Sequence, residues 1–147
     1  MKSLWQEPAR MEILRRIAEV DEASKARWGS LTADRMLSHL TESMKMAVGE
    51  LDVASKKLPI RFFPLKQLIL YVLPFPKGAP TAPELLAGKS GPVDDYKTEL
   101  RRLIAEFASR AGRNDWRDHP AFGKMTEKAW GVLVYRHMDH HLRQFGT

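Results

Sequence analysis

The stretch His137-Met138-Asp139-His140-His141-Leu142-Arg143-Gln144-Phe145 decides how the chain is read. It closes a helical pattern running from Thr126 to Phe145, in which Thr126 caps the start, Glu127 follows and Gly146 ends the helix. On such a helix His137 and His141 stand four residues apart and share one face, with Cβ atoms about 5–6 Å apart. Bonds from a zinc-type ion to imidazole nitrogen are about 2.0–2.1 Å, so the two rings can clamp one ion. His140 lies about 100° round the helix from His141, so the three cannot all reach the same ion. Two ligands make a weak site, and a third must come from elsewhere.

Two histidines remain, His39 and His119. His119 precedes Pro120 in a loop. His39 lies inside a second helical pattern, Thr32 to about Val48, where Met36 and Leu40 flank it and point it toward the core. Thr32 is the expected N-cap, Asp34 sits in the first turn, Gly49 follows the end, and Met36, Leu37, Leu40, Met44 and Ala47 form the apolar face. His39 is seven residues, roughly 10 Å, from the start of its helix, and residue 139 is roughly 9 Å from the end of the last one. The ligands fall level if these two helices run antiparallel.

Two further patterns complete the set. One runs from about Pro8 to Lys25 with the stripe Met11, Leu14, Ile17, Ala18 and Val20. The other runs from about Val93 to Ala111 with Leu100, Leu103, Ile104, Phe107 and Ala108, and Gly112 after it. Between the second and third patterns, Leu51 to Pro92 holds seven of the nine prolines. A short helix fits between Pro64 and Leu73, stopped by Pro74-Phe75-Pro76, and the rest through Lys77-Gly78-Ala79-Pro80 reads as ordered loop. So long a connection lets the second and third helices run parallel. The expected fold is all-α: one domain over residues 1–147, a four-helix bundle running up, down, down, up with a long crossover. The crossover supplies the antiparallel pair that the histidines need. An echo, Trp28-Gly29-Ser30-Leu31-Thr32 against Phe122-Gly123-Lys124-Met125-Thr126, reads as one capping solution used twice.

Composition narrows the chemistry. The 147 residues are 44% hydrophobic and 29% charged, the balance of an ordinary globular domain able to bury a core. The absence of cysteine excludes disulfides, zinc fingers, a thiolate nucleophile and iron–sulfur ligation. The net charge of +6 comes from scattered Lys and Arg, without the basic stripe or motif of a nucleic-acid binder, so no nucleic-acid partner is expected. Met1 to Pro8 has no apolar run like that of a signal segment. The most apolar stretch, Leu58 to Phe75, is broken by Arg61, Pro64 and Lys66. No membrane partner and a cytoplasmic location are expected.

With these residues in place the chain resembles the DinB/YfiT-like superfamily of metal-binding four-helix bundles, and more closely a branch of unknown function within it. The motifs are Trp-Gly-x-Leu-Thr and Met-Leu-x-His-Leu over Trp28 to Leu40, with His-Pro-x-Phe-Gly at His119 to Gly123 and the block His137 to Phe145. The likeness covers essentially the whole chain and is weak through 51–92. It implies a metal held by one histidine of the second helix and an HxxxH pair of the last, here His39, His137 and His141. Characterised members of the superfamily include metal-dependent transferases of low-molecular-weight thiols and an isomerase using such a thiol. A thiol cosubstrate is compatible with a chain that has no cysteine.

Three neutral imidazoles leave one to three positions open on a divalent ion, the layout of a catalytic site. Zinc or nickel is expected first, with manganese or iron as alternatives. Helix angles put Gln144 on the face of His137, one turn beyond His141, and Ser43 four residues after His39; both are candidates to line the pocket. His140 is a candidate at the rim. Trp130 reads as core. Asp139 projects roughly opposite, free to pair with Arg136, Arg143 or a neighbouring helix, and no catalytic side chain beyond the ligands stands out. Three functions compete: a metal-dependent enzyme, a thiol transferase or hydrolase, acting on a small molecule; a bundle tied by a structural metal; and an interaction module whose segment Ile60 to Phe75 forms a homodimer or partner surface.

Overall fold

A computed structural model describes residues 1–77 and 89–147 of the chain. Among these residues the regular structure is helical, with no strand and two isolated bridges, Lys25 with Thr32 and His119 with Gly123. Helix α1 spans Glu7–Glu19, α2 Ala33–Val48, the single turn α3 Leu65–Gln67, α4 Val93–Ser109 and α5 Glu127–Gln144. The short helix expected between Pro64 and Leu73 is split: after a 3₁₀ turn, Pro59–Arg61, α3 gives way to a π turn, Leu68–Val72. The ordered loop expected through Lys77-Gly78-Ala79-Pro80 lies outside the described residues from Gly78 onward.

The first helix departs most from its sequence pattern. It stops at Glu19, and Val20 is already extended. Just beyond, the Asp21 carboxylate accepts the Ala23 N–H and the Ser24 hydroxyl accepts the Asp21 N–H. These local bonds compete with the helical ladder and win. The buried face is also rotated: Ala9, Ile13, Arg16 and Ile17 point inward, while Met11 is 59% exposed and Ala18 faces solvent. The expected stripe through Met11 and Leu14 passed over the fully buried Ile13, and one inward residue is an arginine, whose guanidinium meets Asp139 of α5 at 2.7 Å.

Elsewhere the apolar faces fall where periodicity put them. Met36, Leu37, Leu40 and Met44 of α2 face Leu100, Leu103, Ile104 and Phe107 of α4, all at 1% exposure or less. Each such side chain contributes about 1.5–3 kcal/mol on burial. Trp130 of α5 closes the same core at 1%.

Helix contacts are anchored at both ends. At the start of α2, Asp34 accepts from the Ser90 hydroxyl at 2.7 Å, ahead of α4; past its end, Glu50 takes both prongs of Arg102 at 2.8 and 3.0 Å. Ahead of α1, Trp5 donates to the Glu127 carbonyl at the start of α5 (2.8 Å), and Tyr135 donates to Glu12 at 3.2 Å. Trp5 stacks on Phe107 with ring centroids 4.2 Å apart. Gly131 makes that seat possible, because a Cβ there would land inside the Trp5 indole.

The repeated Trp/Phe-Gly-x-apolar-Thr lead-in has a structural counterpart. Gly29 and Gly123 both take left-handed φ, +76° and +65°, turning the chain into α2 and α5. The caps themselves differ. The Thr126 hydroxyl accepts from the Ala129 N–H at 3.2 Å, as expected. Thr32 does not cap with its side chain; its hydroxyl donates to Asp34 instead.

Candidate metal centre

His39, His137 and His141 meet. The Nε2 atoms of His39 and His137 are 3.0 Å apart, and the ring centroids of the three pairs are 4.9, 4.8 and 4.9 Å apart. One ligand nitrogen from each lies within 4.8 Å of the others, and among the described residues these three form a group that could hold a metal ion. Two nitrogens each about 2.0–2.1 Å from one ion stand roughly 3–3.4 Å apart, so the His39–His137 spacing suits adjacent ligands. His39 is 7% exposed, while His137 and His141 keep partial exposure.

The ring of His141 is held from behind. Gln144 Nε2 donates to the Trp28 carbonyl at 2.8 Å, which fixes the amide so that its oxygen faces His141. Oε1 is then 2.9 Å from His141 Nδ1, so Nδ1 carries the proton and Nε2 presents its lone pair. Gln144 is 5% exposed and sits behind the ring, in place of the pocket-lining position that helix angles allowed.

Protonation favours ligation. Burial pushes His137 well below the ordinary histidine value, with the neighbouring His39 and His141 adding to the effect. Burial also brings His141 down to about 4, helped by His39 and opposed by its bond to Gln144. Both rings are neutral at pH 7, the form that binds a metal.

The other candidates separate. His140 stands at the rim, its ring 5.2 Å from that of His141, 5.8 Å from Trp28 and 6.1 Å from Phe75. Ser43 spends its hydroxyl on the His39 carbonyl, 2.8 Å away in its own helix. His119 is a loop organiser: its Nδ1 accepts the N–H groups of Ala121 and Phe122 at 3.1 and 3.2 Å, and its ring packs on Trp130 at 5.4 Å. Asp139 faces away and binds Arg16 and Arg143. Arg136, offered as its partner, instead donates to the carbonyls of Ile69, Leu70 and Leu73, tying the π turn to α5 one residue before His137.

Periodicity gave no hint of three residues beside the group. Phe75 lies 6.4 Å from His137 by ring centroids, Trp28 touches His140, and Lys77 Nζ stands 4.5 Å from the centroid of the Trp28 ring. Phe75 sits between two prolines that read as a stop signal, and its aromatic character was the one clue to a second role.

Fold and site together define an all-helical protein with a three-histidine group able to take a metal ion. The chain belongs to the family described as Protein of unknown function (DUF1569), whose model matches residues 6–147. No curated protein and no solved structure matches it.

Proposed function

We propose that the chain is a metal-dependent enzyme of the DinB/YfiT-like type, a transferase using a low-molecular-weight thiol or a hydrolase, acting on a small molecule in the cytoplasm. On this reading the four long helices form a bundle running up, down, down, up. The contacts of Asp34 with Ser90 and Glu50 with Arg102 support parallel α2 and α4. Those of Trp5 with Glu127 and Arg16 with Asp139 do the same for α1 and α5. The carrying observation is the convergence of His39 with the His137–His141 pair, two nitrogens already 3.0 Å apart.

A bound divalent ion, zinc or nickel first and manganese or iron next, would supply Lewis acidity toward a thiol, a water or a carbonyl. His39, His137 and His141 would hold it, and Gln144 would keep the His141 ring turned toward it. The partial exposure of His137 and His141 is in keeping with an open site and weighs against a closed structural one. With no cysteine in the chain, the thiol would come as cosubstrate.

Elemental analysis of untagged protein after metal-replete expression tests this. About one metal per chain is expected in the native protein and far less in His39→Ala and His137→Ala. Metal well below one per chain in the native protein removes the reading, and equal content in the variants removes these ligands.

A second reading, which can hold together with the first, is a homodimer through the segment that carries α3. It is favoured by a run of exposed apolar side chains: Phe62 at 67%, Phe63 at 81%, Val72 at 67% and Leu73 at 46%.

A further inference from the structure

Among the described residues, seven of the nine large apolar side chains left exposed fall between Leu58 and Leu73. Phe62, Phe63, Leu65, Leu68, Val72 and Leu73 face solvent, while Leu70 is buried and Ile69 and Tyr71 pack on the core. The backbone of this segment is tied down. Arg136 holds the carbonyls of Ile69, Leu70 and Leu73 against α5, and the Lys66 ammonium donates to the Lys124 carbonyl. Hydrogen bonds thus hold an apolar surface toward solvent, and a contiguous surface of this kind marks a place where something docks.

The same segment is basic. From Val53 to Pro83 the sequence carries Lys56, Lys57, Arg61, Lys66 and Lys77 and no Asp or Glu. None of these cations forms an ion pair among the described residues. Asp118 acts on Lys66 across space, and Arg61 opposes it. Lys124 adds a further cation at this edge, since Lys66 reaches its carbonyl and the Arg61 guanidinium lies against the neighbouring Gly123. Apolar side chains and unpaired cations therefore share one face.

Charge separates the occupants this face could take. In a two-fold dimer the patch meets its own copy, so a net positive surface would be pressed against another. Like charges across a desolvated contact oppose docking. An anionic bilayer surface offers the opposite sign to every one of these cations and takes up apolar side chains at its headgroup boundary. We propose that this face docks on an anionic membrane surface, with Phe62 and Phe63 leading into the headgroup boundary and Lys56, Lys57, Arg61 and Lys66 meeting the lipid phosphates. The chain would lie on the bilayer: the apolar stretch is broken by Arg61, Pro64 and Lys66, and among the described residues no helix is long and apolar enough to cross. Surface docking needs no spanning run. It takes the face that a homodimer would use and is independent of the metal reading.

Co-sedimentation of the full chain with vesicles tests this, using phosphatidylcholine alone and an equimolar mixture of phosphatidylcholine and phosphatidylglycerol, with light scattering on the protein alone. Each Lys or Arg near an anionic surface is worth about fivefold in affinity. The native chain is expected to be monomeric and to sediment with the mixed vesicles, at least tenfold more tightly than with the neutral ones. The Lys56→Gln, Lys57→Gln double variant is expected to bind the mixed vesicles about 25-fold more weakly. A control with the same loss of charge elsewhere, Lys25→Gln with Arg101→Gln, is expected to change little. Phe62→Ser with Phe63→Ser is expected to weaken binding at least tenfold with unchanged circular dichroism, since both side chains already face solvent. A native chain that stays in the supernatant with both vesicles overturns the proposal, and if that chain is a dimer the face belongs to a second copy. Equal losses in the two charge variants also overturn it, because net charge alone would then carry the binding. So does full binding by the phenylalanine variant.

Discussion

Gln144 Oε1 stands 2.9 Å from Nδ1 of His141, and the same amide donates to the Trp28 carbonyl at 2.8 Å. One side chain thereby sets the tautomer of a candidate ligand and couples it to the loop ahead of α2. A partner that orients a ligating histidine is worth roughly 10- to 100-fold in metal affinity. Gln144→Ala is expected to weaken zinc binding by about that factor in competition with a chromophoric chelator, while the helical circular dichroism stays. Unchanged affinity would show that the ring is held by packing alone.

The histidine group was legible because it rests on helical geometry. His137 and His141 share a face by spacing, and His39 was placed by its apolar neighbours Met36 and Leu40. What stayed hidden depends on tertiary contact. The inward Arg16 reads as a surface residue until Asp139 is seen opposite it, while the buried Ala9, Ile13 and Ile17, four residues apart, form a stripe that competes in the sequence with the one through Met11 and Leu14. Asp21 and Ser24 stop α1 through side-chain bonds that a periodic pattern passes over. Phe75 reaches His137 only because Arg136 draws the preceding turn onto α5, a contact between residues more than sixty positions apart.

The two arginines on Asp139 have unequal weight. Arg16 is 7% exposed at its side chain and also donates to the Thr147 carbonyl at 2.9 Å, whereas Arg143 is 72% exposed. Removing the carboxylate leaves a buried guanidinium with only the longer carboxylate contact to Glu12 at 3.6 Å, where losing the whole counter-charge of a fully buried pair is worth about 3–5 kcal/mol. Because Asp139 keeps 18% exposure and Glu12 remains beside Arg16, Asp139→Ala is expected to cost about 2 kcal/mol in urea unfolding. Arg143→Ala is expected to cost under about 0.5 kcal/mol. Similar losses in the two variants would contradict this division.

Gly131 lies inside α5, where alanine would ordinarily add about 1 kcal/mol of helix propensity. The added methyl would meet the Trp5 indole and the Ser3 hydroxyl, and that indole is fixed by its stack on Phe107 and its bond to Glu127. Overpacking costs about 1–3 kcal/mol and outweighs the propensity gain. Gly131→Ala is expected to lower the Tm and to change the tryptophan fluorescence as Trp5 leaves its seat. A raised Tm would mean that the N-terminal arm is dispensable.

The apolar run around α3 has a direct physical readout. If it forms a homodimer, light scattering gives twice the chain mass, and Phe63→Glu, at a position 81% exposed, gives the monomer without loss of helicity. Placing a carboxylate at the centre of a desolvated patch costs more than most interfaces can supply. A native chain that stays monomeric at the highest soluble concentration removes the dimer reading and leaves the histidine group untouched.

Acid should reveal His119. Burial against Trp130 and Phe122, with Lys66 nearby, lowers its pKa from the ordinary 6.5 to about 4. Between those values the unfolded chain holds a proton that the folded chain does not, so stability rises with pH across the window. The contribution is fully present above about 6.5 and falls away as the pH drops toward 4, by about 1.4 kcal/mol per pH unit for one such group. His137 and His141 add slopes of the same sign in metal-free protein, so the informative quantity is a difference between two proteins measured alike. His119→Asn keeps an acceptor where Nδ1 takes the N–H groups of Ala121 and Phe122 and removes the titration. Urea unfolding of metal-free native and variant proteins from pH 7 to 5 is expected to show a variant less stable at pH 7, from lost ring packing, with a shallower fall toward pH 5. Parallel curves would show that His119 titrates alike in the folded and unfolded chains.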